Sequence, residues 1–120
     1  MSVKNMKDLP LEPLAVGAKT SKQVLISDQE GPNFAMRRFV IEPEGYMPMH
    51  TNTVEHEQFC IAGKAEVVIG DEKVIVQKND AVFIPANVPH SYKTLGSEAF
   101  EFLCLVPNKE DIIEIVDATE

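Results

Sequence analysis

The sequence predicts an all-β fold, a single antiparallel sandwich or barrel. Three observations carry that expectation. Short apolar and β-branched runs follow one another closely from Gln23 onward, turn-forming residues separate them, and no gap is long enough for the amphipathic helices a βαβ arrangement needs. The 120 residues, 44% hydrophobic and 25% charged, supply one core and one domain.

Residues 1–18 carry Pro10, Pro13 and Gly17 with little periodicity and read as an N-terminal arm; residues 19–120 read as one barrel domain. Gln23 to Ile26 is the first expected strand, ended by Asp28-Gln29-Glu30-Gly31-Pro32. Phe34 to Ile41 is the second, ended by Glu42-Pro43-Glu44-Gly45. Gln58 to Ala62, Ala65 to Ile69, Lys73 to Gln77, Ala81 to Ile84, a strand starting near Ser91, and Ala99 to Val106 complete the series. Their turns fall at Gly63-Lys64, Gly70-Asp71, Lys78-Asn79-Asp80 and Leu95-Gly96-Ser97. The tail from Asn108 to Ala118 has two readings. Asn108 can cap a helix with Asp111 at its N3 position, or the β-branched run Ile112 to Val116 can form a closing strand.

Charge narrows the partners. Eleven basic against nineteen acidic residues give a net charge of -8, which repels phosphate backbones and anionic lipid. Nucleic-acid and membrane partners are therefore not expected. No apolar stretch follows the lysines of the amino end, so a secretion signal is not expected and a cytoplasmic location is. Cys60 and Cys104 read as free core thiols in a reducing compartment.

Only three histidines are present. His50 and Asn52 are two apart and share a face if the chain is extended there; His56, Gln58 and Cys60 do likewise. A bend within Thr51 to Val54 can bring the two short faces together. His90 follows Pro85-Ala86-Asn87-Val88-Pro89 and opens a strand that a barrel can set beside them, with Tyr92 on its face. Spacing alone favours reading them as ordinary loop or core histidines over a metal site.

The motifs bear on that choice. Glu44-Gly45-Tyr46-Met47-Pro48-Met49-His50-Thr51-Asn52-Thr53-Val54-Glu55-His56, closing at Gly63, is similar to the first motif of the cupin superfamily. Asn79 to His90 with Pro85, running on to Thr94, is similar to the second. The resemblance covers residues 20 to 107 and implies a cupin-type antiparallel β-barrel, a double-stranded β-helix or jelly roll. Asn79 and Asn87 stand where that motif has glycines, and asparagine best tolerates the left-handed dihedrals glycine supplies. His50, His56 and His90 all fall on metal-ligand positions. The phrases Glu55-His56-Glu57-Gln58-Phe59 and Glu101 to Pro107 resemble a subgroup of small single-domain cupins with four-histidine sites.

The resemblance implies a divalent transition metal (zinc, manganese, iron or nickel), with Asn52 a weak or lost ligand where the fourth histidine would stand. No carboxylate is expected in its first shell. Gln58, Cys60, Met47 and Met49 are candidate pocket residues, and Tyr92 is the candidate acid or base. Either Arg37 or Arg38, being adjacent on a strand, faces inward. Glu55 and Glu57 point away from His56.

The function expected is a small metal-binding cupin that acts on or binds a small polar or anionic metabolite. If it is an enzyme, dioxygenase, decarboxylase and isomerase chemistry all remain open, since fold does not choose among them. The alternatives are a metal-poor binding or sensing module and a dimeric structural domain. A homodimer is expected from the resemblance, and outward Phe59 and Ile61 suit its interface.

Overall fold

The structure, a computed structural model, describes residues 1–116. A short 3-10 turn, Met6–Asp8, precedes ten strands: β1 Glu12–Pro13, β2 Ala18–Ile26, β3 Phe34–Asn52, β4 His56–Ala62, β5 Lys64–Ile69, β6 Glu72–Gln77, β7 Ala81–Ile84, β8 His90–Leu95, β9 Phe100–Pro107 and β10 Ile113–Ile115. All pairings are antiparallel, in the order β6-β5-β8-β3-β9-β4-β7, with β2 and β10 added along β3 and β1 along β2. The ends of this path approach each other. In the β6–β7 turn Asn79 N donates to Cys60 O at 2.8 Å, while Cys60 N donates to Asp80 O at 2.9 Å, so the sheet curls back onto β4. The result is the cupin-type antiparallel β-barrel.

Alternation of burial shows which face is inside. Along β4, His56, Gln58 and Cys60 are buried while Glu57 and Phe59 are exposed; along β9, Phe100, Phe102, Cys104 and Val106 are buried. Phe39, Phe102 and Tyr92 stack in sequence, at 5.2 Å between neighbouring rings, to form an aromatic wall.

Special backbone positions fall where the motifs place them. Asn79 and Asn87 adopt φ of 81° and 67°, so both asparagines do take the left-handed conformation. Gly63 has φ +72°, and a Cβ there would run into the Ala99 carbonyl.

One expectation changes. The turn expected at Glu42 to Gly45 is a bend inside one long strand. Up to Ile41, β3 pairs with β9, and from Tyr46 it pairs with β8, with Glu44 at φ 71° between the two stretches. The N-terminal arm joins the sheet where Glu12 and Pro13 pair with Lys22 and Ser21. The tail is not helical through residue 116, because Ile113, Glu114 and Ile115 pair with Asn52, Thr51 and His50; residues 117–118 of that expected element lie outside the described residues. Among the described residues no helix is long and apolar enough to cross a membrane.

Candidate functional site

One pocket, of about 170 Å³, opens inside the barrel and is lined by His50, Asn52, His56, Gln58, His90 and Tyr92 together with mostly apolar side chains. Its apolar lining includes Leu14 and Val16 from the arm, Phe39, Met47 and Phe102 from the barrel, and Ile113 and Ile115 from β10. Elements from both ends of the chain therefore complete it.

The three histidines come from three strands. Register sets His50 of β3 opposite His90 of β8, with ring centroids 4.2 Å apart. The His56 ring stands further out, 6.2 Å from His90. His50 Nδ1 lies 2.7 Å from Pro48 O, and His90 Nδ1 lies 3.0 Å from Val88 O. A carbonyl can only accept, so Nδ1 carries the hydrogen in both rings and Nε2 keeps a free lone pair. Burial pushes all three imidazoles down, His56 and His90 to about 4; for His56 the nearby Arg37 guanidinium adds to burial and together they outweigh Asp111. At neutral pH the cluster is uncharged.

Asn52 does reach the site. Its Nδ2 donates to Asp111 Oδ2 at 3.0 Å, and because a carboxylate must be met by a donor, this bond orients the amide. Asn52 Oδ1 is buried with no hydrogen-bond partner, as is His56 Nε2, whose neighbour Asp111 Oδ2 is 3.6 Å away. Asp111 is the residue sequence reasoning missed. Placed at the N3 position in the helical reading of the tail, it is instead a carboxylate 3.6 Å from the His56 ring nitrogen. Only the pairing of β10 with β3 reveals it.

The other candidates divide. Gln58 lines the pocket and its Nε2 donates to the Tyr92 hydroxyl at 2.8 Å. Burial drives the Tyr92 pKa far upward, so it is a neutral phenol whose own hydrogen remains to be donated, and not a base. Met47 lines the pocket; Met49 is not among the lining residues. A bulge explains this: two residues of β3 lie between Met47 and His50 where one of β8 lies between His90 and Tyr92, so Met47 and His50 reach the same face despite odd spacing. Cys60 is also corrected. It packs in the core, its thiol facing the carbonyls of Ala62 and Gly63, and the pocket thiol is Cys104.

The arginines separate as strand alternation requires. Arg38 turns away and binds Glu101 at 2.7 and 3.0 Å and Gln23 at 3.2 Å. Arg37 faces the pocket, 5.1 Å over the Phe39 ring, with Nη2 donating to Cys104 Sγ and Nε buried without a partner.

The donor chemistry suits a transition metal: three neutral imidazoles, two with Nε2 lone pairs free, and an unpartnered amide oxygen. Among the described residues, though, no three His, Cys, Asp or Glu side chains are already gathered as a metal-holding group.

The cupin-domain family model matches residues 37–106, more than half of the chain, and the chain belongs to that family. The polyketide cyclase RemF of Streptomyces resistomycificus superposes with a TM-score of 0.90 at 26% identity, covering 100% of this chain and 88% of that one. A cupin 2 conserved barrel domain protein from Rhodopseudomonas palustris superposes at 0.82 with 22% identity, covering 93% and 80%, a likeness of fold alone. Among curated proteins, the xanthan biosynthesis protein XanB of Xanthomonas campestris pv. campestris (strain B100) is 31% identical over 75 residues, covering 61% of this chain but only 16% of XanB. The chain thus spans under a fifth of the first curated relatives it matches.

Proposed function

We propose that this cupin holds a divalent transition metal (zinc, manganese, iron or nickel) through His50, His56 and His90 and acts on a small ligand whose oxygen-bearing end meets the histidines. The observation carrying this reading is the convergence of three buried, neutral imidazoles on one pocket, two with their Nε2 lone pairs left free. When bound, such an ion supplies Lewis-acid polarisation of a ligand oxygen.

The chain's own residues narrow the ligand. The largely apolar wall favours a ligand with a hydrophobic or aromatic body over the small polar or anionic metabolite expected from sequence. Arg37, with an unpartnered guanidinium nitrogen, favours an anionic or enolic oxygen on that body, and Tyr92 has a hydrogen to donate to it. An oxygenated, largely apolar molecule also accords with the name of RemF as a polyketide cyclase. Two free thiols accord with a cytoplasmic setting. A second copy of the chain is the expected protein partner at the outer face of β4 and β7, where Phe59 and Phe83 are exposed; Ile61 is half-buried and contributes less.

Elemental analysis of protein purified without nickel resin or chelator tests the reading. About one transition-metal ion per chain is expected, and a folded protein that binds none on addition of zinc, manganese, iron or nickel would overturn it.

A further inference from the structure

The segment between β9 and β10 is laced to one residue at the end of the histidine-bearing strand. Thr53 Oγ1 donates to Glu110 O at 3.2 Å and accepts from Ile112 N at 2.9 Å, while Thr53 N donates to Asp111 Oδ1 at 3.0 Å. With Asn52 Nδ2 on Oδ2, both carboxylate oxygens of Asp111 are engaged and the group is held in place. Immediately beyond, β10 pairs with Asn52, Thr51 and His50, which fixes the segment against β3. This carboxylate has a defined position, and the titratable group it faces is His56.

The three imidazoles differ in how they are held. His50 and His90 each have a main-chain carbonyl for Nδ1, two residues back in the chain. His56 has no such bond; its buried nitrogen is Nε2, and the polar atom facing that nitrogen is Asp111 Oδ2 at 3.6 Å. A shift of about half an ångström makes this a normal N–H···O bond. A histidine that serves a ligand commonly donates its other ring N–H to a carboxylate, which sets the tautomer and the ring's orientation.

We infer that Asp111 is the positioning residue of His56: its carboxylate accepts the Nε2 hydrogen, so that His56 presents Nδ1 to the pocket whereas His50 and His90 present Nε2. Asn52 then has a second purpose. It stands where the resemblance expects a fourth histidine, and its amide supplies the donor that holds Asp111 in place. The metal-facing consequence rests on the proposed function; the tautomer assignment does not.

Long-range proton–nitrogen correlation spectra of ¹⁵N-histidine-labelled, metal-free protein at neutral pH test this directly. In the wild type, His56 should appear as the Nε2–H tautomer and His50 and His90 as Nδ1–H tautomers. Asp111→Ala should convert His56 to a mixture and leave the other two unchanged. A wild-type His56 in the Nδ1–H form, or a tautomer indifferent to Asp111→Ala, overturns the inference; the wild-type spectrum decides even if the variant does not fold. Zinc competition gives a second readout. Asp111→Ala should weaken binding about 10- to 100-fold, and equal affinity in wild type and variant would count against the positioning role. Failure of the wild type to bind any metal would sink the proposed function and leave the tautomer result standing.

Discussion

Asp111 Oδ2 accepts a hydrogen bond from the Asn52 amide at 3.0 Å, across 59 residues of sequence. That contact ties the C-terminal segment to the strand end that bears His50. It also leaves Asn52 Oδ1 unpartnered beside three imidazoles. Replacing Asn52 with histidine should therefore add a nitrogen donor to the cluster. With its other ring N–H taking over the amide's bond to Asp111, Asn52→His is expected to tighten zinc binding by about tenfold, or about 1.4 kcal/mol, in a chelator competition. Unchanged affinity would mean that the side chain at 52 does not reach the ion.

Arg37 and Arg38 are neighbours with opposite fates, and their removal should separate stability from binding. Arg38→Ala strands the partly buried Glu101 carboxylate and is expected to cost about 1–2 kcal/mol. Arg37→Met removes a guanidinium that has an unpartnered nitrogen and should cost less. Chemical denaturation compares the two; a larger loss for Arg37→Met would contradict the assignment of Arg37 to the pocket.

Gly63 and Gly70 both have positive φ, at 72° and 64°, but differ in surroundings. A Cβ at Gly63 meets the Ala99 carbonyl, whereas at Gly70 the nearest atom is a Val88 methyl at 3.7 Å. Gly70→Ala should cost only the left-handed backbone penalty, about 1 kcal/mol. Gly63→Ala should cost at least about 2 kcal/mol, because strain and clash add. Urea midpoints decide, and equal losses would be the contrary result.

Burial pushes the thiols of Cys60 and Cys104 upward, which keeps both protonated at neutral pH and removes the thiolate that alkylating reagents attack. The native protein is expected to resist iodoacetamide at pH 7.5 and to take up two adducts once unfolded, counted by mass spectrometry. Rapid native labelling of Cys104 would show that the pocket is far more open than described.

The contact at the amino-terminal end should withstand acid until the pH approaches 2. The Lys4 ammonium, then the Ser27 amide and the Ser2 hydroxyl, hold the Glu30 carboxyl down at about 2, from an ordinary value of 4.5. A depressed carboxylate stabilises the folded arrangement above its ordinary range, and that contribution is lost as pH falls through the folded value. Carbon-13 titration of Glu30 should give a midpoint near 2, and Glu30→Gln should free the Lys4 signals at neutral pH. A midpoint at the ordinary value would refute the contact.

Much of this was legible in the chain because it is local. Strand alternation places His56 and Gln58 inside and Glu57 outside, and it puts Tyr92 on the same face as His90. Asn79 and Asn87 declare left-handed turns by residue type. What misleads is whatever breaks the period or the locality. The bulge before His50 puts Met47, not Met49, in the pocket, and the sheet partners of Cys60 and Cys104 decide which thiol meets it.

By itself the sequence determined an antiparallel barrel, the strand faces of its three histidines and the motifs that make it a cupin. The strands and their faces follow from period-two alternation and turn chemistry, which act over a few residues, whereas the cupin barrel rests on the resemblance of the two motifs. Only the tertiary structure decided that Arg37 faces the pocket, that the pocket wall is mostly apolar, and that Asp111 stands at the histidines. Those depend on which distant strands pair and in what register, and a one-residue shift in register turns a side chain to the opposite face.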